Sequence, residues 1–404
     1  MRPPRRLLWS LLLLNAAVHA GYSGIGGVLV PAQVATIDDG SKVTNLALVM
    51  TLSSLAAVAV QPLVGAASDR TRSRWGRRAP WIVLGAVLAA VAMVGSAGAS
   101  TIAAVAVGWV GAQAMLNVVH APVDAVVADR VDHRRRGLAA SYLSTGIALG
   151  LAGGVVLAGQ LVHRVAVAYG ALALAVLVIA VGFVALNPDA SSADAGRARL
   201  RGYAALKGMW VSPRRHPDFA RAFTGRFVLV LGHQVISGYQ LYILMDYVGM
   251  GQADAGATAG VLVSAHVVCL GFGAFVAGRW SDRLGRRKVF VIGSSVLVAV
   301  GLSIPLVWAT SAGMLGYAVV AGLARGVYTA VDLALMIDVL PASTDHGKDL
   351  GVLNLATVVP QLLTAPIAAV LLTLSGEDYR FLFLFAIVLV LASTWFVTRI
   401  RSVR

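Results

Sequence analysis

Residues Gln61 to Trp81 read QPLVGAASDRTRSRWGRRAPW, five arginines and one aspartate set between two long apolar runs that carry no charge. About 210 residues later the pattern returns as AGRWSDRLGRRKVF, again at a junction between apolar runs. Ser68-Asp69-Arg70 is matched by Ser281-Asp282-Arg283, and Gly76-Arg77-Arg78 by Gly285-Arg286-Arg287. Asp124 and Asp332, Asp129 and Asp338, and Gly137 and Gly351 fall at nearly the same separation, about half of the 404 residues. A unit duplicated in the same orientation predicts this spacing.

A hydrophobic fraction of 58% with 13% charged residues, in uncharged stretches of about twenty, excludes a soluble domain and predicts a polytopic membrane protein. The net charge of +15 does not point to nucleic acid, because the basic residues sit between the apolar runs and not on one face of a soluble fold. Cys269, the single cysteine, rules out an intramolecular disulfide and a cysteine metal site. The opening MRPPRRLLWSLLLLNAAVHAG has the make-up of a signal peptide ending at Val18-His19-Ala20. We read it instead as the first span, since its apolar stretch continues to Val30 and its removal would leave the first half one span short of the second.

The uncharged segments predict spans near 7–31, 43–67, 79–97, 101–127, 138–161 and 165–186, then 222–246, 256–278, 288–308, 313–340, 350–374 and 380–399. Residues 79–119 hold no charge, so the division within them is read from Gly95-Ser96-Ala97-Gly98-Ala99-Ser100. The spans must be helices, because unpaired backbone in lipid is costly and runs of this length do not suit barrel strands. The expected architecture is all-α: a six-helix bundle at 1–186, a cytoplasmic linker at 187–218 and a second six-helix bundle at 219–404. With the N-terminus inside, every lysine and arginine lies on the inner side except Lys42, Arg164, Arg380 and the intramembrane Arg325. That asymmetry sets both termini in the cytoplasm. The linker, with Arg197, Arg199, Arg201 and Arg214-Arg215, either follows the anionic inner leaflet or is a plain tether.

Charges inside a bilayer are expensive, so they are functional or paired. Asp124 lies late in the fourth span, Asp332 is its repeat counterpart in the tenth, and Arg325 is two helical turns before Asp332 on the same face. A carboxyl removed from water favours its neutral form and can exchange a proton, so proton coupling is assigned to Asp124 and Asp332, with Arg325 favouring the charged form of the second. The alternative is a fixed structural pairing. Near the inner surface, Asp69, Arg70, Arg77, Arg78 and Asp129, with Asp282, Arg283, Arg286, Arg287 and Asp338 in the second half, are expected to form ion pairs that hold a cytoplasmic gate shut. Read blandly, the same residues are surface ion pairs of little energy. Asn15, His19, Gln113, Asn117, His120, His233, Gln234, Tyr239, Asn354 and Gln361, with Tyr22, Gln240 and His266, lie within spans and suit hydroxyl groups better than an inorganic ion. Any one of them also serves an ordinary interhelical hydrogen bond. Their spacing fits no metal site, and no GxxxxGK[ST] is present, which points away from ATP and toward a proton gradient. Gly146, Gly150, Gly153 and Gly154 in the fifth span permit close helix approach.

The repeated loop at Ser68-Asp69-Arg70 and Gly76-Arg77-Arg78 resembles that of the major facilitator superfamily, which implies twelve spans in two halves and alternating access. Ser73-Arg74-Trp75-Gly76-Arg77-Arg78-Ala79-Pro80-Trp81, with Gly351-Val352-Leu353-Asn354-Leu355-Ala356 and Pro360-Gln361, is similar to the sucrose transporters and glycoside cation symporters. That likeness implies proton-driven sugar uptake by a monomer in the plasma membrane. It departs where Gln113 stands in place of the family's proton-linked aspartate and Asp124 in place of an arginine. Gly137, Gly146, Gly150 and Gly154 resemble the fifth-span motif of drug and proton antiporters, with Leu151 where that motif has proline, which supports the alternative of proton-driven export. No catalytic constellation suggests an enzyme.

Overall fold

The computed structural model of the chain describes residues 5–132, 135–189, 191–192, 217–284, 287–338 and 346–400, with side chains at all of these except 128, 279, 281–284, 333–338 and 346–354. The linker from 193 to 216, and with it the expectation that it follows the inner leaflet, lies outside the described residues.

Helices fill the described residues, and no strand occurs among them. Eleven are long and apolar enough to cross a membrane: α1 Arg5–Ile37, α2 Lys42–Arg70, α3 Ala79–Ser96, α4 Ile102–Arg130, α5 Arg136–Gln160, α6 Val165–Leu186, α8 Gln252–Leu284, α9 Arg287–Val307, α10 Ser311–Asp338, α11 His346–Leu374 and α12 Arg380–Thr398. The remaining one, α7, is a pair of segments, Pro217–Gly238 and Gln240–Tyr247, bent by 52°. Counting the pair as one crossing gives the twelve expected.

Local chemistry accounts for the breaks. Thr101 accepts a hydrogen bond from the Ala104 amide and so caps α4, which starts a new helix inside the uncharged 79–119 stretch. In α1 a wide π turn at Ile25–Leu29 immediately precedes Pro31, whose ring cannot donate to the carbonyl four residues back; the wide turn re-registers the backbone around it. The bend in α7 follows Gly238, with Tyr239 buried at the corner and donating to the Ala365 carbonyl at 3.2 Å. The sequence places a continuous span there, because Tyr239 to Tyr242 carries no charge or proline to mark the corner.

The described chain divides into two compact units, 1–200 with 251–260, and 201–250 with 261–404. In the first, α1 packs on α5 and α6, α3 on α4 and α6, and α2 on α4. In the second, α7 packs on α11 and α12, and α9 on α10 and α12, the same pairing displaced by six helices. Leu63, Val91, Val107, Phe272 and Phe275 point outward, as expected where the surrounding solvent is hydrocarbon. Inside the first unit a buried amide ties three helices: Gln33 donates to the Ser96 carbonyl at 2.9 Å and accepts from Tyr169 at 2.7 Å.

The α1–α5 contact is a stripe of small residues. A Cβ at Gly146 would collide with the Leu12 carbonyl, one at Gly150 with that of Ala16, and one at Gly154 with that of Ala20. Both stripes advance four residues per step, so the helix backbones approach face to face. Gly153 points into open space. Gly150→Leu is therefore expected to cut the yield of folded protein at least severalfold while Gly153→Leu leaves it near wild type, as measured by size-exclusion chromatography in mild detergent. Equal yields from the two would contradict this packing.

Candidate functional site

The charged loop between α2 and α3 closes on one buried side chain, Arg78, only 5% exposed. Its guanidinium meets Asp69 at 2.6 Å, donates to Ser68 Oγ at 2.6 Å, and reaches Asp129 Oδ2 at 3.1 and 3.2 Å. Three acceptors on two helix ends use most of the donors of one planar fork, an arrangement that lysine cannot supply. Arg77 is half-exposed and stands 3.9 Å from Asp129, and Arg70 is exposed at the end of α2. Gly76 adopts φ +83, and a Cβ there would strike Asp189, which itself pairs with Arg130 at 3.0 Å. Ser192 Oγ donates to the Thr71 carbonyl at 3.0 Å and accepts from the Ser73 amide at 3.1 Å, so the chain leaving α6 is clipped to the same loop. The side chains of Asp282, Arg283, Arg286 and Asp338 lie outside the described residues, whereas Arg287 begins α9.

In the first unit, α1 and α4 bring polar rings together. His19 packs edge-on against His120 with centroids 5.2 Å apart, and against Tyr22 at 5.6 Å. His19 Nδ1 donates to the Asn15 carbonyl at 2.9 Å, and His120 Nδ1 lies 3.7 Å from Asp124. The amides of Asn15 and Asn117 donate back to their own helices, at Leu11 and Gln113. Among the described residues, Asn15 Oδ1, Tyr22 OH, Gln113 Oε1 and His120 Nε2 are buried without a hydrogen-bond partner. Buried polar atoms are usually satisfied, so these four, with Trp109 Nε1 as a fifth on the same two helices, mark a place where another molecule can bond.

The second unit holds a cavity of about 190 Å³ lined by Arg226, Val230, Arg325, Tyr328, Thr329, Asp332 and Thr357. Asp332, with a side chain 6% exposed, pairs with Arg226 at 2.9 Å and accepts a hydrogen bond from Tyr328. Arg226 Nε also donates to Thr357 Oγ1 at 3.1 Å, so one arginine on α7 joins α10 to α11. Arg325 lies over the Tyr328 ring at 5.9 Å. His233 and His266 stack with centroids 5.4 Å apart, within electrostatic reach of Arg325.

Of the residues singled out from sequence, His19, His120 and Asp124 come together in the first unit, and Arg325, Asp332, His233 and His266 in the second. The two aspartates differ: the Asp124 side chain is 54% exposed and that of Asp332 is 6%. Gln234 turns to Ser237, Tyr239 serves the α7 corner, Gln361 is exposed, and the Asn354 side chain lies outside the described residues. Arg226 was missed, having been counted with the basic residues of the inner side; as the one basic residue inside the 222–246 run it carried a signal. No group of three or more His, Cys, Asp or Glu side chains arranged for a metal occurs among the described residues.

The sequence profile of the Major Facilitator Superfamily matches residues 11–257 and 222–404. The MFS transporter asaE of Aspergillus flavus is 28% identical over 278 residues, 67% of this chain and 59% of that protein. The Fujikurins efflux protein of Gibberella fujikuroi is 28% identical over 192 residues, 46% of this chain and 39% of that protein. The matched stretches thus span less than two thirds of either fungal protein. An uncharacterised MFS-type transporter of Mycobacterium tuberculosis is 26% identical over 400 residues, 95% of this chain and 91% of its own. Among solved structures, a bacterial homologue of the human lysosomal transporter Spinster superposes with a TM-score of 0.69 at 13% identity, covering 98% and 96% of the two chains. A D-xylose–proton symporter gives 0.68 at 13% identity, covering 98% and 97%. At that identity the likeness is one of fold.

Proposed function

Because the chain belongs to the Major Facilitator Superfamily, we propose that it is a secondary active transporter working by alternating access, taking up a hydroxylated solute of the sugar or glycoside class together with protons. The observation that carries the solute class is the set of buried, unpartnered polar atoms at Asn15, Tyr22, Gln113 and His120, which match the donors and acceptors of hydroxyl groups. Coupling is assigned to Asp332. Ionised, it holds Arg226 and accepts from Tyr328; protonated, it no longer offers Arg226 a charge, and the tie between α7 and α10 weakens. Asp124, with His120 beside it, is the second carboxyl of the cycle. On this reading Arg78 with Asp69 and Asp129 is the cytoplasmic latch, both termini face the cytoplasm in the plasma membrane, the working unit is a monomer, and the proton gradient alone drives the cycle.

The test is uptake of labelled mono- and disaccharides into proteoliposomes of known orientation under an imposed proton gradient. Saturable sugar uptake that runs with proton entry is expected. The second reading is export of a small amphipathic compound against proton entry, favoured by the similarity to the Fujikurins efflux protein. Sugars that neither enter nor compete, with apolar compounds pumped out in the same vesicles, would replace the first reading by the second.

A further inference from the structure

We propose that the cavity between α7, α10 and α11 binds an organic carboxylate, gripped by Arg325, so that the transported solute carries an acid group. The inference rests on the reading of the chain as a transporter, and adds that this cavity takes part in holding the solute.

Charge comes first. Two guanidinium groups line the cavity, Arg226 and Arg325, and among its described lining residues Asp332 is the only carboxylate. Arg226 is engaged twice, by Asp332 at 2.9 Å and by Thr357 at 3.1 Å. Arg325 is not so held: its Nη1 is buried and has no hydrogen-bond partner among the described residues, its guanidinium lies 5.9 Å over the Tyr328 ring, and the carboxylate within its electrostatic reach, Asp332, is already bound to Arg226. Two guanidinium groups that share a single carboxylate leave one positive charge in excess, which is disfavoured away from water, so the site is shaped for an arriving anion. The planar fork of arginine matches the two oxygens of a carboxylate.

A neighbour points the same way. His233 Nδ1 is also buried without a partner among the described residues, and this ring lies within electrostatic reach of Arg325. A cavity of about 190 Å³ admits a carboxylate with a short carbon frame beside Val230 and Tyr328. Comparison of the halves adds a third observation. The offset that pairs Asp124 with Asp332 also pairs His120 with Tyr328 and Asn117 with Arg325. Where the second half has an arginine, the first has an uncharged amide, so the acid end of the solute belongs to the second half.

The experiment uses thermal unfolding of the purified full chain in detergent at fixed pH. The probes are two pairs alike in shape and unlike in charge, benzoate with benzamide and gluconate with glucose, together with inorganic phosphate. At least one acid is expected to stabilise the protein with an apparent affinity tenfold or more above its neutral partner. Arg325→Gln should abolish that preference, and should itself unfold no earlier than wild type, since it removes the cation in excess of the one carboxylate; Arg325→Lys should restore part of the preference. The proposal is overturned if acids and neutral partners act alike, if no probe shifts unfolding, if the preference survives in Arg325→Gln, or if phosphate alone stabilises. It is also overturned if Arg325→Gln unfolds markedly earlier, which would make Arg325 a structural member of the Asp332 network. A glucose effect equal to that of gluconate would end this inference and leave sugar uptake standing; an acid preference without sugar uptake in vesicles would do the reverse.

Discussion

Asp332→Asn is expected to reduce gradient-driven accumulation to a ratio near one while solute still exchanges across the membrane. A potential of 100 mV supplies about 2.3 kcal/mol for each charge carried, roughly a fortyfold concentration ratio when one proton accompanies each solute. Asparagine keeps the shape and still accepts from Tyr328 and Arg226, but it cannot take up a proton in this range. The whole ratio should therefore be lost while the hydrogen bonds that hold the site remain. Asp332→Ala is predicted to fold less well than Asp332→Asn, because it takes from Arg226 and Tyr328 the hydrogen-bond acceptor that asparagine keeps; with Arg226 22% exposed, the added cost is about 1–3 kcal/mol. Asp124→Asn is expected to have the smaller effect of the two aspartates, since its side chain is 54% exposed and the His120 ring beside it stands 3.7 Å away, beyond hydrogen-bond distance. Accumulation ratios measured side by side decide the matter; a normal ratio in Asp332→Asn would remove the carboxylate from the coupling step.

Arg78→Ala carries the second large effect. The arginine is buried and holds Ser68, Asp69 and Asp129 at once. Removing it leaves two carboxylates without their common cation. Because those side chains are 50% and 32% exposed and can be hydrated, the expected loss is about 2 kcal/mol and not the full cost of a buried unpaired charge. Spent on the state in which this latch is shut, that loss corresponds to a drop in maximal transport rate of tenfold or more. Arg77→Ala, which removes an exposed cation 3.9 Å from Asp129, should stay within about 1 kcal/mol, a few-fold at most. Equal effects of the two substitutions, in initial rates at saturating solute, would contradict the separation of roles.

The contrast between these two arginines marks what a sequence can and cannot convey. The charged loop, its repeat and the uncharged runs placed the helices within a few residues, because hydrocarbon tolerates little else. Asp332 stood out for the same reason: a charge in an apolar run is conspicuous. Adjacent Arg77 and Arg78 look alike in sequence, and only the turn at Gly76 decides which of them is buried. Arg226 was conspicuous too, but its nearness to the basic linker made it look like a loop residue, and its bond to Asp332 spans about a hundred residues of chain. The stacking of His233 on His266 and the edge contact of His19 with His120 are likewise set by helix packing, which local spacing does not encode. The corner at Tyr239 left no mark because nothing in the local sequence separates a tyrosine that bonds a distant carbonyl from one that faces a solute.

The most direct measurement of coupling at Asp332 records pH outside proteoliposomes that start with no proton gradient, after addition of the solute found in the uptake panel. As solute enters down its own gradient, wild-type protein should carry protons inward and the outer solution should turn alkaline, whereas Asp332→Asn should move solute with no change in pH. Solute entry through the wild-type protein with the outer pH unchanged, or an undiminished alkaline shift in Asp332→Asn, would contradict the account.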